Sequence, residues 1–221
     1  MVEKKYRNII LFGPPGAGKS TLVELLEAKK IPFSLVSMGQ ILRKIGQEKS
    51  ELGDKVRETM AKGDLLDDFF ISELVKKALR EIDKTKPIIL DGYPRSLGQV
   101  NVVDEIFANE DLTLPVLVYV KITKEVAIER LSSRRVCENC KENYQYQELT
   151  DKEKCAKCGG ELLQRDDDKP EAIEKRFELF EEQFKVIQYY FESKDRYFEI
   201  DGTLPKPMRV KELIKILNFK I

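Results

Sequence analysis

Nine consecutive residues, Gly13-Pro14-Pro15-Gly16-Ala17-Gly18-Lys19-Ser20-Thr21, match the phosphate-binding pattern G-x-x-x-x-G-K-[ST] at every fixed position. Such a loop works because successive backbone N–H groups point at one spot and the following helix adds its dipole, so an anion is held without a large side chain. Gly13, Gly16, Ala17, Gly18 and Thr21 supply that backbone. Lys19 reaches the β- and γ-phosphates of a bound triphosphate, and Ser20 offers a hydroxyl to Mg²⁺. An ordinary glycine turn is the rival reading, and the flanking pattern argues against it. Residues 8–12 form a short apolar run that reads as a buried strand, and Leu22, Leu25 and Leu26 then recur at helical spacing.

The remaining chemistry must come from a restricted set of side chains. The chain has no histidine, so its commonest general base and commonest metal ligand are both missing. Phosphoryl transfer tolerates this, because it depends on positioning and charge neutralisation more than on proton transfer. Asp91 ends an apolar stretch, where an acid holds Mg²⁺ or its waters. Taken one at a time, Arg43, Arg130, Arg134, Arg135, Arg165 and Arg176 read as solvated surface residues. Arg95 stands out, because it follows Asp91-Gly92-Tyr93-Pro94 at the edge of a strand where ligands collect. Asp166-Asp167-Asp168 reads either as a metal cluster or as a charged approach to the helix beginning at Pro170, its carboxylates pairing with nearby arginines. The second is favoured.

Four cysteines occur as two C-x-x-C pairs, Cys137/Cys140 and Cys155/Cys158, separated by residues 141–154. That spacing is close to a zinc ribbon. Gly159-Gly160 suits the tight turn of the second knuckle, and Lys141 stands where the first would favour glycine. Four thiolates leave no open coordination position, so the expected Zn²⁺ is structural. Two disulfides are the rival, disfavoured beside a nucleotide-binding loop of cytoplasmic type. A DNA-binding ribbon is discounted, because Glu138, Glu142, Glu148, Asp151 and Glu153 would face phosphate with the wrong sign.

The elements that must position these groups alternate. Strands are expected at 8–12, 33–37, 87–90, 115–120 and 197–200. Helices are expected at 20–29, from 41 through 60 with a break near Ser50, at 67–82, 99–108, 123–131, 170–190 and 208–217. Met38-Gly39-Gln40 reads as a turn. Asp67 and Thr123 read as helix caps, and Phe69, Phe70, Leu74, Val75 and Leu79 as an inward face. Strand–helix alternation argues for a parallel α/β sheet. Residues 135–165 break the alternation and read as an insertion. The 39 basic and 39 acidic residues cancel, so no global field favours nucleic acid or an anionic membrane. The apolar run after residues 1–7 is too short for a signal peptide, and no segment has the apolar length to span a bilayer. A cytoplasmic location is expected.

Taken together, GPPGAGKST at 13–21, SMGQILR at 37–43, DGYPRSLGQ at 91–99, ERLSSRR at 129–135, the four cysteines, QRDDD at 164–168 and EIDGT at 199–203 resemble the adenylate kinase family, in its long form with a zinc-bearing lid. The resemblance implies a three-layer P-loop α/β fold with a five-stranded parallel sheet and two inserted lobes. The core would comprise 1–36, 67–132 and 169–221, the monophosphate-binding lobe 37–66 and the lid 133–168. It implies reversible phosphoryl transfer from ATP to AMP, giving two ADP, with Mg²⁺. Lys19 and the loop would hold donor phosphates. Arg43 and Arg95 would clamp the acceptor phosphate, Met38 and Gly92 would take part in binding the acceptor, Met38 at the adenine pocket, and Gln99 would read the adenine edge. Arg130 would border the donor adenine, and Arg134, Arg165 and Arg176 would gather the transferring phosphoryl. The implied partners are ATP, AMP and ADP, with no nucleic acid and no membrane, and the implied assembly is a monomer. Lid opening is expected to limit turnover.

Two departures matter. The family's Ser-Thr-Gly-Asp is Ser37-Met38-Gly39-Gln40 here, which removes a hydroxyl and a charge near the acceptor base. Ser20 replaces a glycine common in the family and restores a hydroxyl for the metal. A kinase for another nucleoside monophosphate, such as CMP or UMP, is the alternative within the class. Outside it, the alternative is a P-loop ATPase or binding module with a zinc ribbon.

Overall fold

The computed structural model describes residues 7–217; the basic start at 1–6, read above for a leader, lies outside the described residues. Five strands form one parallel sheet: β1 (Ile9–Phe12), β2 (Ser34–Ser37), β3 (Ile88–Asp91), β4 (Val116–Lys121) and a C-terminal strand (Tyr197–Asp201). The C-terminal strand sits beside β4, and β1 lies at the centre between β3 and β4. The strand order reverses direction there, and a crevice opens beyond the strands' C-terminal ends.

The central strands β1, β3 and β4 are apolar up to their last residue or throughout, because both faces are covered. On one face Ile9, Leu11, Val118 and Val120 meet Leu22, Val23 and Leu26 of α1 (Lys19–Ala28), together with Val210, Leu213 and Ile214 of the last helix (Lys206–Ile216). On the other, Ile10, Phe12, Leu117 and Tyr119 meet residues of three helices. These are α4 (Asp68–Glu81), α5 (Leu97–Asn109) and α7 (Pro170–Glu192). Three layers result, as expected.

Caps behave as the local sequence requires. Asp67 accepts from Phe70 N at 2.9 Å, Thr123 accepts from Val126 N at 3.4 Å ahead of α6 (Lys124–Ser132), and Pro170 opens α7.

Two expectations are corrected. Met38-Gly39-Gln40 is no turn: α2 (Met38–Gly46) begins at Met38, directly after β2, and α3 (Glu51–Ala61) follows. Phe69 is 75% exposed, because the inward stripe of α4 runs through Ile71, Val75 and Leu79 and places Phe69 on the far side. The inserted segment stays outside the main sheet, as its break in the alternation implies. It folds as an antiparallel sheet in which β5 (Arg134–Cys137) pairs with both β6 (Asn143–Gln145) and β7 (Leu162–Leu163). The C-terminal strand of the main sheet is therefore β8, and the last helix is α8. The small sheet has its own core of Cys137, Leu149, Cys155 and Leu162, against which Tyr144 packs.

Candidate active site

The loop at 13–21 leaves β1 and runs into α1 at the sheet's C-terminal edge. Gly13 passes so close to β4 that a Cβ there would lie 2.6 Å from the Val120 carbonyl oxygen. Gly18 is the N-cap of α1, in the left-handed region at φ +87°, and no side chain caps the helix. The first N–H groups of α1 therefore face the crevice uncapped. Ala17 is buried beneath the loop, its N–H donating to the Pro14 carbonyl at 3.1 Å.

Lys19 lies half-buried at the crevice floor. Its Nζ donates to the carbonyls of Gly13 at 2.7 Å and Pro14 at 3.1 Å. Loss of hydration is the main influence on its charge and pulls its pKa down to about 8; Asp91 pulls upward, while Arg95, Arg176 and Arg134 add to the lowering. Across the strand edge, Asp91 Oδ2 accepts from Ser37 Oγ at 3.3 Å.

The crevice holds a space of about 500 Å³ lined by residues from most of the segments singled out above, including Gly13, Gly16, Gly18, Lys19, Ser20 and Thr21 of the loop, Arg43, Asp91, Gly92, Arg95, Arg130, Arg134, Arg165 and Arg176. Arg95 Nε donates to the Gly92 carbonyl at 3.1 Å. Arg130 donates to the carbonyls of Gly202 at 3.0 Å and Gly16 at 3.4 Å. Arg165 donates to Asn143 Oδ1 at 2.7 Å. Burial, with repulsion from Arg134 and Arg43, brings the Arg165 guanidinium down to about 10.

Arg134 and Arg176 are different. Arg134 makes a two-pronged bond to Asp168, from Nε at 2.7 Å and Nη2 at 2.6 Å. Asp168 is fully buried. Arg176 lies 3.0 Å from the Asp167 carboxylate and 3.6 Å from Asp168. Asp167 and Asp168 thus pair with arginines.

Two residues expected near the acceptor base do not line this space. Met38 is 1% exposed and packs in the apolar layer beneath the wall. Gln99 is buried with both ends of its amide engaged: Nε2 donates to Asp68 Oδ1 at 2.6 Å and Oε1 accepts from Arg95 N at 2.7 Å. Asp68 also accepts from Ser96 Oγ at 2.6 Å. Asp68 was missed because, beside Asp67, it looks like helix-start charge. Arg209 and Lys206, which also line the crevice, were missed too. The one available signal for Arg209 is its position four residues before Leu213, on the inward stripe of α8.

The cysteines converge as well. All four Sγ atoms lie within 4.8 Å of one another, with 3.4 Å between Cys137 and Cys158 and 3.6 Å between Cys140 and Cys155. Four thiolates around Zn²⁺ at Zn–S of about 2.3 Å define edges of about 3.8 Å, so the donor set fits a tetrahedral ion. Tyr144 Oη lies 3.1 Å from Cys155 Sγ. Lys141 takes the left-handed conformation at φ +60°, so the first knuckle keeps its turn without glycine. A Cβ on Gly160 would lie 2.9 Å from Cys137 Sγ.

Comparison with known proteins agrees with this geometry. A family model described as adenylate kinase matches residues 11–196. Proteins named adenylate kinase align over nearly the whole chain. That of Thermosipho melanesiensis is 38% identical over 215 residues, covering 96% of this chain and 99% of its own. That of Archaeoglobus fulgidus is 36% identical over 213 residues, covering 96% and 98%. That of Thermotoga maritima is 35% identical over 215 residues, covering 96% and 97%.

Proposed function

The chain belongs to the adenylate kinase family; its reaction is reversible transfer of a phosphoryl group from ATP to AMP, giving two ADP, and we propose that the crevice described above carries it out. The observation that supports this reading is convergence. Two lysines and seven arginines, drawn from stretches far apart in the chain, surround a single space at the mouth of an uncapped helix.

In the forward direction an oxygen of the AMP phosphate attacks the γ-phosphorus of ATP. The bond from that phosphorus to the β,γ-bridging oxygen breaks, and its electron pair leaves on the new ADP. Charge concentrates on the transferring group and its two neighbours, so cations placed beforehand lower the barrier without moving. The loop N–H groups and Lys19 take the donor phosphates. Arg43 and Arg95 take the acceptor phosphate, and Arg134, Arg165 and Arg176 face the group in transit. Arg130 borders the donor adenine. Mg²⁺, which Asp91 and Ser20 would hold, neutralises the β- and γ-phosphate charge when bound. Gln99, held by Asp68, aligns the turn carrying Arg95 from behind the crevice wall, where Met38 is also packed, while Gly92 faces the acceptor side of the crevice.

Residues 1–36, 67–132 and 169–221 act as the core, 37–66 as the lobe for the monophosphate and 133–168 as a lid that excludes water while carrying Arg134 and Arg165 inward. The cysteines hold structural Zn²⁺ in that lid. Their free thiols suit a reducing, cytoplasmic compartment. The assembly proposed, by analogy with the family, is a monomer.

The deciding experiment is a coupled assay of ADP formation from ATP with AMP, CMP, UMP, GMP or dAMP as acceptor. AMP is expected to be preferred, and Arg95→Ala should raise the KM for AMP. An unchanged response to AMP in that variant removes the acceptor assignment. Metal analysis is expected to find one zinc per chain, and none after gentle purification would remove the lid assignment.

A further inference from the structure

Arg209 is outside every group assigned so far. It lies on α8, is 6% exposed, and lines the crevice. Its Nε is buried with no hydrogen-bond partner among the described residues. A buried guanidinium is normally paired, because stripping its hydration costs several kcal/mol unless an anion replaces the water. The carboxylate that most influences it, Asp201, is turned to Thr203, accepting from its N–H at 2.8 Å and its hydroxyl at 2.6 Å. Arg130 on the other side repels it. Burial and this repulsion lower its pKa against the pull of Asp201.

The guanidinium sits against the phosphate loop. Nη1 lies 2.7 Å, and Cζ 3.9 Å, from the point a Cβ on Gly18 would occupy. Gly18 is the uncapped N-cap of α1. A helix start without a side-chain cap and a buried arginine whose Nε has no partner among the described residues thus share one spot.

We propose that Arg209 binds the phosphate chain of the donor nucleotide at the N-terminus of α1. This deepens the reading of the loop as the donor site and rests on it. The cation approaches from the α8 side of the loop, apart from the arginines of the lid. It touches a part of the nucleotide that is bound before and after transfer, so it contributes to donor affinity more than to the rate of the chemical step.

The test compares Arg209→Gln, which keeps hydrogen-bond donors and loses charge, with Arg209→Lys, which keeps charge. Arg209→Gln should raise the KM for ATP about tenfold, while kcat and the KM for AMP stay within about twofold. Arg209→Lys should recover most of the loss. dATP should show the same tenfold change as ATP, since the phosphates are common to both. Three results overturn the proposal: an unchanged KM for ATP with only a lower Tm, equal behaviour of the Gln and Lys variants, or a loss confined to ATP and absent with dATP. If Arg209→Gln does not fold while Arg209→Lys does, calorimetric ATP binding by the Lys variant within threefold of wild type supports the charge role, and loss of binding overturns it. Absence of AMP-dependent ADP formation by the wild-type chain would instead count against the reading on which the proposal rests.

Discussion

The cations around this crevice fall into two regions that the protein treats in opposite ways. On the lid side, Arg134 and Arg176 are held by the carboxylates of Asp167 and Asp168. On the loop side, among the described residues, Lys19 donates to two backbone carbonyls and to no carboxylate, and Arg209 has an Nε with no partner. Carboxylates fix the geometry of the first group and cancel much of its charge. The second group keeps its full charge in a poorly hydrated place, a standing cost that a bound phosphate relieves. The contrast separates arginines held in place by the carboxylates of Asp167 and Asp168 from cations at the loop that have no ion-pair partner among the described residues.

The largest expected effect breaks the loop side. Lys19→Met should lower kcat/KM by about 10³-fold, comparable to loss of a dedicated oxyanion donor, with Tm unchanged or slightly raised because a poorly hydrated charge is gone. A fall in Tm of several degrees would mean that Lys19 is a structural residue like its lid-side counterparts.

Next comes the lid side. Asp168→Asn leaves Arg134 partly buried beside a neutral amide, and should destabilise the protein by about 3 kcal/mol in denaturant unfolding. It should also lower kcat, because Arg134 loses its fixed direction. Unchanged stability would show that the pair is no more than a surface contact.

The smallest effect sharpens the comparison through pH. Lys19 titrates near pH 8 in the free protein, and nucleotide phosphates favour its charged form. ATP binding should therefore release or take up almost no proton through Lys19 at pH 6.5. Proton uptake should rise toward one per ATP near pH 9, measured calorimetrically in buffers of different ionisation enthalpy. Without nucleotide the sign for stability is the reverse of a salt-bridged lysine. The folded pKa lies below the unfolded one, so the contribution of Lys19 improves as pH rises from about 8 toward 10.5. Flat proton uptake between pH 7 and 9 would show that Lys19 is not poised in this way.

Much of the fold was legible because its physics is local. Strands covered on both faces must be continuous apolar runs, as Ile9–Phe12 and Val116–Lys121 are, and caps such as Asp67 and Thr123 act within four residues. Phe69 misled because helical spacing gives the period of a face, while the neighbours fix its phase. The lid strands were illegible because β6 and β7 are three and two residues long. Strands so short carry no alternation to read, and convergence of four thiols supplies the closure that apolar area cannot.

By itself the sequence determined the phosphate loop, the acid at Asp91, the cysteine pairs and the alternation of the five main-sheet strands with helices, all of which depend on residues near one another in the chain. Tertiary structure alone decided which cations are neutralised and which are left waiting. Asp168 reaches Arg134 across the lid segment, Gln99 is held by Asp68 from a different helix, and Arg209 reaches Gly18 from the far end of the chain. Charge balance at a buried site is a property of neighbours in space, and no spacing along the chain encodes it.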